Sequence, residues 1–306
     1  MSKAMKTATK PAMKIKKTRG EKIGTFFIYF FVALFSLICV LPFILVLVVS
    51  FSSEKSIALK GYSFFPLEWS ANAYHMLMLP SSGVAHSYYV TAVATIVGTL
   101  IGSIITFGAG YTLANKNCRY RNGLSLYFYI TMVFSAGLVP WYMICKLLHC
   151  YDNMLALIVP GLMFSPFNMF LVRNFARDIP EEINESARMD GAGDMTIAFR
   201  IYFPLCTPVL ATIALFYAIG YWNNYFNAVM LINNRDYYPL QMLLFRIQSE
   251  ITGLSKMAAG VMRTSNPPKE SFKMATSIVT MGPIVLLYPF AQKYFVKGMV
   301  VGAVKG

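Results

Sequence analysis

The sequence predicts an all-α integral membrane protein, a bundle of six transmembrane helices with a polar loop set into it, and three observations predict this. The 306 residues are 57% hydrophobic and only 13% charged, with a mean hydropathy of +0.54, which is too apolar for an ordinary soluble domain. The apolar residues fall in runs of membrane length, since a helix rising about 1.5 Å per residue needs roughly 20 of them to cross a ~30 Å hydrocarbon core. The runs are also continuous. A closed barrel, the other structure that satisfies its backbone in lipid, would alternate over ten-residue segments.

In chain order, residues 1–23 form a basic arm with Lys3, Lys6, Lys10, Lys14, Lys16, Lys17, Arg19 and Lys22 against Glu21 alone. The first apolar run, Gly24–Ser50, exceeds the length of a secretory h-region and is followed by more spans, so it reads as a retained anchor. The other spans are Ser87–Ala114, Leu124–Cys145, Asn153–Val172, Leu205–Tyr221 and Ala275–Gln292. Within the second, Gly98, Gly102, Thr106 and Gly110 recur at i+4, either as a face for close helix approach or as the ordinary glycine richness of membrane helices. Pro42, Pro140, Pro160, Pro208 and Pro289 lie in or at the ends of spans, as bends or terminators.

Charge orients the bundle. The arm and the connection bearing Lys116, Arg119 and Arg121 face the cytoplasm under the positive-inside rule. Both termini are then cytoplasmic, with Lys293, Lys297 and Lys305 inside, and the Phe51–His86, Lys146–Asp152 and Trp222–Met274 connections lie outside. The net charge of +14 follows from lysines facing anionic lipid, and nucleic-acid binding is not needed to explain it. His75, His86 and His149 are scattered, and the five cysteines lack metal-ligand spacing. Cys145 and Cys150 either pair or remain free thiols. There is no phosphate-binding GxxxxGK[ST] loop, so if ATP is used a partner supplies the site. No catalytic residue, cofactor or metal site is expected in this chain.

The informative insert is Arg173–Pro208, which holds six of the 13 acidic residues: Asp178, Glu181, Glu182, Glu185, Asp190 and Asp194. Such a concentration of carboxylates between spans suits a surface that docks another macromolecule. Asp178 and Pro180 suit a helix start near Ile179, with Glu181 and Glu182 in a first turn where the helix dipole favours acids. Ile179, Ile183 and Ala187 form one stripe, and Glu181, Glu185 and Arg188 form another beside it. Gly191 can take the left-handed conformation that ends a helix, and Asp194 reads as the cap of a return helix carrying Ile201 and leading to Pro204.

These residues resemble a known pattern. Glu185-Ser186-Ala187, three residues, Gly191, nine residues, Ile201, one residue, Phe203 and Pro204 is similar to the EAA loop of bacterial ABC-importer permeases, and Asp190-Gly191-Ala192 matches that family's DGA. Ser186 and Phe203 depart from the usual alanine and leucine. Leu138-Val139-Pro140, Ala211-Thr212-Ile213-Ala214 and Gln292 to Gly298 extend the resemblance to carbohydrate importers of the maltose-permease type, most of all to the oligosaccharide permeases of Gram-positive bacteria. The resemblance implies a multi-pass plasma-membrane permease working with a homologous second permease subunit, two cytoplasmic ABC ATPase subunits and an extracellular solute-binding lipoprotein. It implies that the loop inserts its first helix into a cleft on the ATPase, with Glu185 and Gly191 carrying the coupling. It also makes Asn227–Lys273, within the outer connection at about 222–274, the segment that reaches into the binding protein.

A substrate path is less marked. Trp222, Asn223, Asn224 and Tyr225 mix rings and amides suited to a sugar, but they equally fit an interfacial aromatic belt. A permease for another solute, such as a peptide, shares the architecture. A secondary transporter would bury ionisable residues in its spans, and the predicted spans contain none.

Overall fold

The computed structural model describes residues 19–79, 82–258 and 270–285. The lysines from Lys3 to Lys17, Asn266-Pro267-Pro268 of the outer connection, and the Gln292 to Gly298 ending lie outside the described residues.

Helix α1 (Arg19–Ser50) runs uninterrupted through Pro42 and leaves almost all of its apolar surface open, from Ile23 through Leu47, with only Val49 and Ser50 buried at its far end. A helix that is hydrophobic all round and uncovered by its own chain matches lipid as its solvent. Two short helices follow, α2 (Glu54–Lys60) and α3 (Asn72–Met78), and the antiparallel bridge Ser52–Trp69 is the one sheet-like pairing among the described residues. Glu54 accepts from the backbone N–H and hydroxyl of Ser271 at 2.8 and 2.7 Å, and Tyr62 donates to Glu270 at 2.6 Å. That hydrogen bond, with partial burial, pushes the Tyr62 phenol up to about 12.

Helix α4 (Val84–Ala114) is the spine. It packs on α8 (Pro166–Arg177) and α12 (Thr207–Trp222), and its glycine face is where they approach. A Cβ on Gly98 would sit 2.3 Å from the Tyr221 ring, and one on Gly110 would sit 2.8 Å from Val172. The i+4 small residues are therefore a packing face, and the carbon they lack is what admits the rings.

Three predicted spans differ from the structure. Leu124–Cys145 is not one helix but α5 (Arg121–Val133) and α6 (Leu138–Leu147), meeting at 116°. Gly137 lies between them at φ +86°, ψ 177°, a conformation open essentially to glycine alone. Asn153–Val172 is interrupted after α7 (Leu155–Ile158) by Pro160 and by Gly161 at φ +73°, and α8 restarts behind Ser165, whose hydroxyl caps Asn168 N, with Pro166 in the first turn. Leu205–Tyr221 shortens to α12, entered through an 81° bend. The insert contains α9 (Glu181–Met189), then α10 (Asp194–Thr196), a π-helical turn (Ile197–Tyr202) and α11 (Phe203–Leu205), the last three forming one arm. Beyond α12 come α13 (Phe226–Leu231), α14 (Leu240–Ala258) and α15 (270–285). The last predicted span, Ala275–Gln292, is described only to Val285.

Two helices are by themselves long and apolar enough to cross a membrane, and four are if each bent pair is one span, so the described residues do not reach the count of six. Cys145 and Cys150 are buried free thiols. The core divides along α4. At one end Val90 and Ala94 pack with Cys145, Leu157, Leu231 and Tyr238; at the other Phe107 and Tyr111 pack with Val172, Ala187, Ile197 and Tyr202.

Candidate functional site

The acidic insert folds as a helical hairpin. Asp178 closes α8, its N–H bonding Phe175 O at 3.2 Å, instead of capping the next helix. Pro180 takes the N-cap position of α9, so the helix starts at Glu181, two residues later than its sequence suggests. Glu181 and Glu182 stand in the first turn, where they complement the positive helix end without a side-chain cap. The far end is a Schellman motif: Gly191 sits at φ +81°, its N–H bonds Arg188 O and Ala192 N–H bonds Ala187 O, both at 3.0 Å. Gly193 is the residue preceding α10, so Asp194 is its first residue and not its cap. The Asp194 carboxylate instead accepts from Arg188 at 2.7 Å, joining the hairpin's two arms.

One face of the hairpin is buried. Ala187, Asn184, Ile197, Ala198 and Tyr202 pack toward the C-terminal end of α4, with Ile179, Ile183, Ala192 and Ile201 half-buried around them. Tyr202 meets Tyr111 edge-on at 5.0 Å, and Phe203 meets Phe107 edge-on at 5.0 Å. The Phe203 ring thus explains why an aromatic stands where the loop pattern has leucine: it fills a slot beside Phe107. Ser186 keeps its hydroxyl on Ile183 O at 3.1 Å and leaves the helix undisturbed.

The opposite face is open. Glu182, Glu185, Ser186, Asp190, Gly191 and Pro204 are exposed, as are Met189 (84%) and Met195 (75%). Carboxylates interleaved with uncovered, flexible thioethers make a surface suited to a protein partner. Between this hairpin and the ends of α4 and α8 lies a cleft of about 660 Å³ lined by Lys116, Arg121, Arg177, Glu181 and the two tyrosines. Lys116 pairs with Glu181 across it. Neither this pair, nor Arg188–Asp194, nor the aromatic contacts carried a signal in the sequence, because each joins residues whose spacing follows no helical or strand period.

The residues of the predicted substrate path separate. Trp222 is buried, and its indole donates to Thr280 O at 3.1 Å. Asn224 donates to Leu157 O at 3.3 Å and Asn227 to Pro160 O at 2.8 Å, while Tyr221 donates to Ile158 O at 2.8 Å. Tyr217 accepts from Ser165 N at 3.0 Å and shares a hydrogen bond with Thr106 at 2.5 Å. Apart from Trp222, these side chains pair backbone groups at and beside the 159–165 break, Leu157 O, Ile158 O, Pro160 O and Ser165 N, the condition under which non-helical backbone is tolerated at membrane depth. Asn223 and Tyr225 remain exposed. Asn223 accepts from Gln241 at 3.1 Å, and Tyr225 lies 6.0 Å from Phe245.

Residues 98–301 match the family model described as the binding-protein-dependent transport system inner membrane component. The chain belongs to that family. It is a membrane transport component, and the relatives of this permease are consistent with each other. It is 36% identical over 91% of its length to the polygalacturonan/rhamnogalacturonan transport system permease protein YtcP of Bacillus subtilis (strain 168), covering 97% of that protein. It is 36% identical over 88% of its length to LplC of the same organism, covering 90% of it. Among solved structures, the permease resembles a chain of a bacterial ABC transporter involved in the import of the acidic polysaccharide alginate, with a TM-score of 0.80 and 29% identity over 92% of this chain and 99% of that one.

Proposed function

We propose that this chain is the transmembrane permease subunit of a binding-protein-dependent ABC importer for a sugar or oligosaccharide, a six-span protein with both termini in the cytoplasm. The observation that carries the reading is the hairpin of α9 and the Asp194–Leu205 arm, buried on one face against α4 and open on the other with Glu185, Asp190 and Met189. Its exposed face docks a cytoplasmic ABC ATPase, one of two, and the chain pairs with a homologous second permease subunit. The relatives support the substrate class, since those named for a substrate move polygalacturonan, rhamnogalacturonan or alginate.

Force applied at α9 travels along two routes. Tyr202–Tyr111 and Phe203–Phe107 pass it to α4, and the bend before Thr207 passes it to α12. α12 ends among the groups that close the 159–165 break and α4 passes beside them at Gly98, Gly102 and Thr106, so a tilt of either helix at the hairpin rearranges the break. Asn223 and Tyr225 are the exposed polar and aromatic groups at that end, and they meet a sugar delivered by an extracellular solute-binding lipoprotein. The test is ATP hydrolysis by the reconstituted importer with its receptor loaded in turn with oligosaccharides and peptides. Stimulation by an oligosaccharide alone supports the reading; stimulation by peptide alone replaces the sugar with the other solute class.

A further inference from the structure

Three arginines converge where the N-terminus of α5 meets the C-terminus of α8. Arg173 has a buried Nε with no hydrogen-bond partner, and its guanidinium lies 5.8 Å over the Phe170 ring. Arg121 and Arg177 lie within electrostatic reach of it, so that its surroundings are positive on two sides. The two ion pairs among the described residues are Lys116–Glu181 and Arg188–Asp194, and neither involves these arginines. Asp178 and Glu182 share the neighbouring cleft with Arg121 and Arg177 without pairing to them. Arg121 also opens a 13-residue helix whose N-cap, Tyr120, makes no side-chain cap and whose first turn has no acid, so the positive end of that helix points into the same cluster.

Below the cluster, α5 has no buried residue. Tyr120 (69%), Leu124 (40%) and Tyr127 (60%) face outward along it. Unneutralised guanidinium groups at one end of an open apolar helix face match the order of a phospholipid, with a phosphate above and acyl chains beneath. We propose that Arg121, Arg173 and Arg177 hold the phosphate of an anionic phospholipid headgroup on the membrane face that carries the hairpin, with the acyl chains lying along α5. Arg173 supplies the partly buried donor, and Arg121 and Arg177 close the site from either side. The inference requires the chain to be in a membrane but does not depend on what it transports.

The experiment uses the full chain, purified from membranes of mixed phosphatidylglycerol and phosphatidylcholine, delipidated stepwise and weighed by native mass spectrometry. Wild-type protein is expected to retain phosphatidylglycerol preferentially. Arg173→Gln and the double variant Arg121→Gln/Arg177→Gln should each lose that preference, by about fivefold per arginine removed. Arg235→Gln, in the outer connection, should keep it, and unchanged thermal unfolding in phosphatidylcholine alone shows that the variants fold. Equal retention by wild type and by both cluster variants overturns the proposal. Protection of lipid-free protein by inorganic phosphate as strong as that by phosphatidylglycerol overturns it in favour of a free-anion site. Release of the lipid when the wild-type chain is assembled with its partner permease overturns it in favour of a carboxylate on that subunit.

Discussion

At the hairpin end of the bundle Glu182, Glu185 and Asp190 point away from the chain, whereas at the opposite end Tyr221, Asn224 and Asn227 turn their polar atoms inward onto backbone carbonyls. The hairpin is held by apolar and aromatic contact under its hidden face; its two ion pairs are solvent-exposed and contribute at most about 1 kcal/mol each. The opposite end is held by side-chain hydrogen bonds to backbone carbonyls, those of Tyr221 and Asn227 buried. The difference separates the roles: one end presents a surface to something else, and the other maintains a broken helix inside lipid. Changes at the first should therefore alter transport without altering stability, and changes at the second should do the reverse.

The largest effect is expected from reversing Glu185 to Lys or replacing Gly191 with Pro. A like-charge juxtaposition in an interface costs several kcal/mol, and proline can neither adopt φ +81° nor donate to Arg188 O. Uptake by cells should be lost while the amount of inserted protein is unchanged; normal uptake by both variants would erase the distinction between the ends. Next is Gly98→Ala, whose new carbon would stand 2.3 Å from the Tyr221 ring, against Gly108→Ala, which meets nothing within 4 Å. Overpacking should destabilise the first by about 1–3 kcal/mol, seen as a lower thermal midpoint in detergent, and leave the second at or above wild type.

Of the same size is Asn227→Leu, which strands the Pro160 carbonyl and should lower stability by about 1–3 kcal/mol. Asn223→Leu serves as the matched comparison, because that side chain is exposed and should change sugar-stimulated ATP hydrolysis more than the unfolding midpoint. The smallest is Glu181→Gln. It removes the exposed pair with Lys116 and should shift stability by less than about 1 kcal/mol, with the difference vanishing in high salt.

Much of the hairpin was legible in the sequence because its signals are local. A left-handed glycine after Asp190, acids in a first turn and a fixed spacing to Ile201 and Pro204 each act within a few residues, and only the start of α9 and the capping roles of Asp178 and Asp194 moved. The spans were legible as apolar length but not as continuity. Hydropathy does not distinguish a straight helix from one broken at Gly137 or Gly161, and at Gly161 what supports the break is distant: Tyr217 and Tyr221 on α12 answer backbone groups more than fifty residues earlier. The same distance hid the function of Trp222 and Asn224. Their composition suits a sugar, and their partners turn out to be carbonyls of the chain itself. The glycine face of α4 was visible as a pattern, but only the opposing rings show why each missing carbon matters.

The central claim is that α9 is where an ATPase takes hold of this bundle. Met189, 84% exposed on that helix, offers the most direct test: Met189→Cys, in a variant otherwise free of exposed cysteine, should form a crosslink to the ATPase subunit in the assembled importer, with a yield that changes when nucleotide is bound. A fully active importer in which that cysteine reacts freely with a soluble maleimide and never crosslinks to the ATPase would contradict it.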